Sequence, residues 1–209
     1  MSSAAVLSIE ASFDLICPWC LIGKRHLDTA IGMLRAQRPD VVVELTWRSF
    51  PLLPQIPKQG LPFAEFYEQR LGSADAVARR QAQVREAARA AGVEIAFERI
   101  QVFPNSLDAH RLVAQAQSRG GAARAGAVID ALFERYFVRG ENIGAASVLA
   151  DVAAGHGISP GDAAEPGPPL AHGMHGVPYF LLNDTIAVEG AQRAPLLVDA
   201  MLRTLSPAP

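Results

Sequence analysis

The sequence of 209 residues is poor in cysteine, with two. A framework of disulfide staples is therefore excluded, and none is needed, since a chain this long buries about 70% of the surface its unfolded form exposes. Excess positive charge is also missing. The 19 Lys and Arg stand against 21 Asp and Glu, for a net charge of −2, which argues against the basic stripe of a nucleic-acid binder. No run of about 18 apolar residues occurs, so no membrane-spanning helix is expected. The first ten residues lack a basic stretch followed by a long apolar one. No secretory signal is expected there, and the reading places the chain in the cytoplasm, where thiols are kept reduced. No repeat period is visible. What the sequence does have is apolar mass: 50% of residues are hydrophobic and 19% charged. That composition excludes wholesale disorder and suits one domain, or one domain carrying a large insertion.

The two cysteines fall together, as Cys17-Pro-Trp-Cys20. In a reducing compartment such a pair reads as redox-active or metal-binding. Upstream, residues 6–13 partly alternate in hydrophobicity and predict a strand. Downstream, Leu21, Leu27, Ile31 and Leu34 recur at helical spacing. Pro18 fits the first turn of that helix, where a missing N–H costs nothing. Cys17 is thus placed at a strand-to-helix junction, at or near the helix N-terminus. Residues 41–47 are β-branched and predict a second strand, so a parallel βαβ unit is expected. After a Pro/Gly-rich loop over residues 51–62, the chain reads as helical for about 90 residues. The expected helices run over 62–71, over 74–91 with a stop at Gly92, and over 105–119. Two more are expected over 122–138 and 147–156. The third opens on Asn105-Ser-Leu-Asp108, which offers an N-cap with an acidic residue three positions on. Residues 157–173 read as loop. Residues 179–182 and 185–188 flank Asn183-Asp184 as a hairpin, and residues 192–205 close the chain as a helix. The class is α/β, in the order β-α-β, helical block, β-β-α.

The attacking species in disulfide exchange is the thiolate, and a helix N-terminus stabilises one through its partial positive charge and unpaired N–H groups. Cys17 is therefore the expected nucleophile and Cys20 the resolving thiol. Pro18 and Trp19, between them, are expected to tune the potential, with Trp19 covering the dithiol. Asp14, three residues before Cys17, is a candidate for proton transfer from Cys20, set against a solvated turn carboxylate. Glu10 is the second candidate. It is placed in a strand, where burial would raise its pKa and make it a base; a solvent-facing position is the plainer alternative. His26 reads as a helix-face residue and His110 as a satisfied core histidine. Arg79, Arg80, Arg85 and Arg89 read as a solvated helical face. A Cys2His2 metal site of Cys17, Cys20, His172 and His175 is an alternative, since a structural site normally needs four ligands. No resident metal is expected.

The set of stretches Phe13-Asp-Leu-Ile-Cys-Pro-Trp-Cys-Leu-Ile-Gly-Lys24, Trp47-Arg-Ser-Phe-Pro-Leu52, Asn105-Ser-Leu-Asp-Ala-His-Arg-Leu112 and Gly176-Val-Pro-Tyr-Phe-Leu-Leu-Asn183 resembles the DsbA-like thioredoxin superfamily. It is most similar to FrnE-type dithiol–disulfide isomerases. The resemblance implies a thioredoxin fold (β-α-β … β-β-α) with a large all-helical insertion. Residues 1–55 and 145–209 would form the thioredoxin-like part and residues 56–144 the insertion. It implies that Pro178 is cis and abuts the dithiol, and that Val177 offers backbone groups to an extended substrate. It also implies disulfide reductase or isomerase activity on a disulfide-containing protein or a small thiol. No cofactor is implied beyond glutathione as a redox partner, and the chain would be a monomer or homodimer. Two departures stand out. The segment 159–170 is shorter than the family's helical stretch and carries four prolines. Related glutathione transferases of the kappa class and chromene-carboxylate isomerases carry serine where this chain has Cys17. A second function reading remains open: a thiol-dependent isomerase of a small aromatic or polyketide metabolite, enclosed by Trp19, Phe50, Phe63, Phe66 and Tyr179.

Overall fold

The computed structural model describes residues 5–159 and 174–206. Strand β1 (Ala5–Phe13), helix α1 (Pro18–Gln37) and strand β2 (Val41–Ser49) open the chain. β1 pairs parallel with β2 over its whole length, from Ala5 opposite Val41 to Phe13 opposite Ser49. On its other side it pairs antiparallel with β5 (Tyr179–Leu182), which pairs with β6 (Ile186–Glu189). The sheet order is β2-β1-β5-β6. Being central, β1 buries its core-facing side chains: Leu7 and Ile9 have no exposed surface and Phe13 is 3% exposed. The β5–β6 turn holds Asn183 at φ 44° and Asp184 at φ 55°, the left-handed region that these two short polar side chains tolerate. Helix α6 (Ala194–Leu205) packs beside α1 and buries Leu197, Val198 and Met201. This is the thioredoxin-type arrangement expected from the sequence.

Between β2 and β5 lie β3 (Leu61–Pro62), α2 (Phe63–Leu71), α3 (Ala74–Ala90), β4 (Val102–Phe103), α4 (Leu107–Phe133) and α5 (Ala146–Gly155). The helix expected from Pro62 begins at Phe63, because Leu61–Pro62 pair with Val102–Phe103 as a two-residue ribbon. Strands that short leave no periodicity to read. The two helices expected on either side of residues 120–121 meet at Gly121, whose φ 64° and ψ −166° break the helical path. The cap at the start of α4 differs from expectation. Asn105 Oδ1 accepts from the Leu107 N–H at 2.9 Å, while Asp108 turns to Arg111 at 2.6 Å. The end of α4 widens into a π-turn over Glu134–Val138.

Helix α4 is fastened to the sheet by side chains. The Gln117 amide accepts from the Trp47 N–H at 2.8 Å and donates to the Trp47 carbonyl at 3.2 Å, so it serves the open edge of β2 as a further strand would. The Trp47 indole donates to the Ala122 carbonyl at 3.0 Å. Lys24 of α1 is buried against Trp47 and reaches Asp130 of α4 at 2.8 Å. Among the described residues, no helix is long and apolar enough to cross a membrane. The loop expected over 157–173 lies outside the described residues from position 160 onward, and His172 with it.

Candidate active site

The turn after β1 delivers Cys17 to the start of α1. Cys17 is the N-cap, with φ −93° and ψ 112°, and Pro18 follows in the first turn. Its carbonyl accepts the Cys20 N–H at 3.0 Å. The side chains are unequal. Cys17 is 8% exposed and Cys20 1%. The Cys20 thiol donates to Cys17 and holds the Cys17 pKa below that of an ordinary cysteine, with burial opposing the shift. Cys20 is pushed well above the ordinary range, first by burial and then by Cys17 itself. Both thiols are free.

Across from Cys17 stands the Val177–Pro178 peptide, which is cis. The Cys17 thiol lies 3.8 Å from the Val177 carbonyl oxygen. Pro178 is buried, and its ring rests on Gly23 of α1; a Cβ at Gly23 would come within 2.7 Å of Pro178 Cγ. The hydrogen at Gly23 is therefore what lets the first helix and the proline loop meet.

Behind the dithiol is a buried polar cluster. Asp14 and His110 have no exposed surface, and His110 Nε2 lies 3.1 Å from Asp14 Oδ1. Asp14 Oδ2 accepts from the Leu52 N–H at 2.6 Å, and the Asp14 N–H points at Cys20 Sγ at 3.5 Å. Asp14 is thus no solvated turn residue. His110 is a core histidine, as expected, but not a satisfied one: its Nδ1 has no hydrogen-bond partner among the described residues. The pairing joins residues 96 positions apart, so no local pattern near Cys17 announces it. Glu10, read from sequence as either a buried base or a solvent-facing carboxylate, is half-buried, and its carboxylate is held by the Arg48 guanidinium from β2. His26 Nδ1 lies 3.3 Å from the Ala191 carbonyl oxygen. His175 is exposed, and no group of three or more His, Cys, Asp or Glu among the described residues is placed to hold a metal.

A cleft of about 350 Å³ opens over Cys17. Trp19, Phe63 and Phe66 line it as expected, whereas Phe50 and Tyr179 do not. Tyr67, Phe97 and Phe103 complete the aromatic wall, and Phe66 stacks on Phe103 at 3.9 Å between centroids. The Tyr67 hydroxyl is pushed up to about 12 by burial and by the negative charge of Cys17. Arg80 also lines the cleft, with its guanidinium 5.6 Å from the Trp19 ring centre. Arg79, Arg80 and Arg89 are exposed, as read from sequence, and Arg80 in addition reaches the cleft. Arg85 lies over Phe97 and pairs with Glu98. The face each arginine occupies depends on how α3 lies across α1, which its own sequence does not state.

Comparison with known proteins agrees with this fold. The DSBA-like thioredoxin domain family matches residues 8–166. No curated protein gives a significant match. Among solved structures, a probable DsbA oxidoreductase from Streptomyces coelicolor is 25% identical, with a TM-score of 0.81, over 97% of this chain and 92% of that one. A 2-hydroxychromene-2-carboxylate isomerase shares the fold at 15% identity and a TM-score of 0.57, over 94% and 95% of the two chains. The cytosolic disulfide reductase DsbM from Pseudomonas aeruginosa, solved with glutathione, shares it at 15% identity and a TM-score of 0.51, over 74% and 67%.

Proposed function

The chain belongs to the DSBA-like thioredoxin domain family, and from that premise we propose that it is a cytoplasmic thiol–disulfide oxidoreductase that reduces or isomerises disulfides. The observation that carries the reading is the inequality of the two thiols: Cys17 lowered at a helix N-cap, Cys20 buried and raised beneath it. In the reductive direction the Cys17 thiolate attacks one sulfur of a substrate disulfide. A Cys17–substrate disulfide forms, and the other substrate sulfur leaves as a thiolate that takes a proton from water. Cys20 then loses its proton and attacks Cys17 Sγ. The Cys17–Cys20 disulfide forms, and the second substrate thiolate departs. The substrate gains two electrons and the dithiol loses them, to be restored by a thiol such as glutathione. The Asp14–His110 pair is the proton acceptor for Cys20 in this scheme, and the Val177 carbonyl orients the bound substrate sulfur's chain.

Reduction of a disulfide-bonded protein by the purified chain tests the reading. Cys17→Ser abolishes turnover, and Cys20→Ser accumulates a mixed disulfide visible as a mass increase. Full activity in Cys17→Ser would sink the mechanism. The aromatic cleft favours a second reading, a thiol-dependent isomerase of a small aromatic metabolite. Under that reading Cys20→Ser keeps full activity, since no resolving thiol is needed.

A further inference from the structure

The cleft over Cys17 has an uneven chemistry. Its floor and walls are apolar and aromatic, Leu52, Phe63 and Phe66 among them, and a volume of about 350 Å³ falls in the range of small-molecule sites. The charged side chains that line it are Arg70 and Arg80, and no carboxylate lines it among the described residues. Some arginines elsewhere are paired with carboxylates, among them Arg48 with Glu10, Arg85 with Glu98, Arg135 with Glu141 and Arg139 with Glu134. Arg70 and Arg80 have no carboxylate within ion-pair distance among the described residues, and Arg80 is hydrogen-bonded to Gln83 alone. Both are exposed, so neither charge is there to stabilise the core.

We propose that this cleft recognises a small aromatic thiol or disulfide bearing a carboxylate, its ring against Phe63 and Phe66 and its carboxylate on Arg70 and Arg80. The proposal rests on the thiol–disulfide reading, whose substrate class it names. Planar guanidiniums suit carboxylates because they offer paired donors in a fixed fork. Arg80 is already positioned by its stacking on Trp19, next to the nucleophile. Both guanidiniums act on the Tyr67 hydroxyl, on which Cys17 acts too, so the two charges and the nucleophile share that neighbour. The step is balanced as above: the Cys17–S–S–aryl bond forms, the aryl–S–S–aryl bond breaks, and the aryl thiolate leaves with its electron pair.

Two probes test this on the reduced full chain. Dithiobis(nitrobenzoate) is an aromatic disulfide with carboxylates, and dithiodipyridine is an aromatic disulfide without them. Rates are expressed relative to those of free cysteine with each probe. The wild type is expected to prefer the anionic probe, and Arg70→Gln and Arg80→Gln to lower that preference about ten-fold each, the scale of a charge-assisted contact. Naphthoate, which has no sulfur, is expected to bind and quench Trp19, in Cys17→Ser as in the wild type. A preference unchanged in both arginine variants, or absence of naphthoate binding, overturns the proposal while leaving the dithiol chemistry intact. Naphthoate binding with neither probe reacting at Cys17 would instead overturn the thiol–disulfide reading beneath it.

Discussion

Cys17 and Cys20 are the same chemical group three residues apart, and the fold makes opposites of them. Cys17 owes its low pKa to a donated hydrogen bond from Cys20, and Cys20 owes its high one to burial. The resolving step is then the one that needs help, because Cys20 must lose its proton before it attacks. Asp14→Asn separates two explanations of that help. Removing the Asp14 charge eases ionisation of both thiols, since its field raises both. Electrostatics alone would therefore speed both steps. If the carboxylate takes the proton of Cys20, alkylation of Cys17 is no slower while resolution of a preformed mixed disulfide slows about 100-fold. Stopped-flow measurement of the two steps distinguishes these outcomes. At this scale the sequence was readable where chemistry is local. Cys17, Pro18 and Cys20 announce themselves by spacing. The partnership of Asp14 with His110, the solvent-side pairing of Glu10 and the placement of Arg80 depend on which elements meet, and none is written in the neighbouring residues.

Elements matter here mainly for where they touch. α1 takes Cys17 as its N-cap and, less than two turns later, supplies the glycine on which Pro178 rests. Gly23→Ala would place a methyl group 2.7 Å from Pro178 Cγ. A proline ring cannot swing aside as a long side chain can. We expect a loss of about 2 kcal/mol of stability in denaturant unfolding, the usual cost of overpacking. A drop in mixed-disulfide formation should accompany it, because the Val177 carbonyl moves with the ring. The helices and strands themselves followed their sequence patterns closely, since α1, α3 and the β5–β6 hairpin carry strong periodicity or turn residues. The β3–β4 ribbon and the π-turn at Glu134–Val138 were illegible because each is too short to show a period. The break expected between residues 119 and 122 is there, at Gly121.

For the molecule as a whole, the thiol pair links redox state to stability. In the reduced protein, Cys17 has a folded-state pKa below its unfolded value. It therefore adds stability that is absent at low pH, grows as pH rises past that folded value, and is complete above the unfolded value. Cys20 works in reverse: its raised folded pKa starts to cost stability as pH rises through the unfolded value. The oxidised protein has neither term. The stability of the reduced form relative to the oxidised one should thus peak near the ordinary cysteine pKa, about 8.5. Parallel denaturant titrations of both forms across pH measure this, and a monotonic difference would contradict the assignment of the two shifts. The thioredoxin-type frame with its helical insertion was legible from the order of elements and from the motifs at its two ends. The cleft was legible only in part, because its walls come from residues that α2, α3 and β4 bring together from distant positions.

The Gln117 amide on Trp47 reaches beyond local stability. β2 is nine residues long and lies at the sheet's border, and an exposed strand border is a template on which another molecule's backbone can polymerise. By presenting an amide in the pattern of a strand, α4 occupies part of that template with a group that cannot be extended further. The helical block that shapes the cleft thus also covers the Trp47 position of that border.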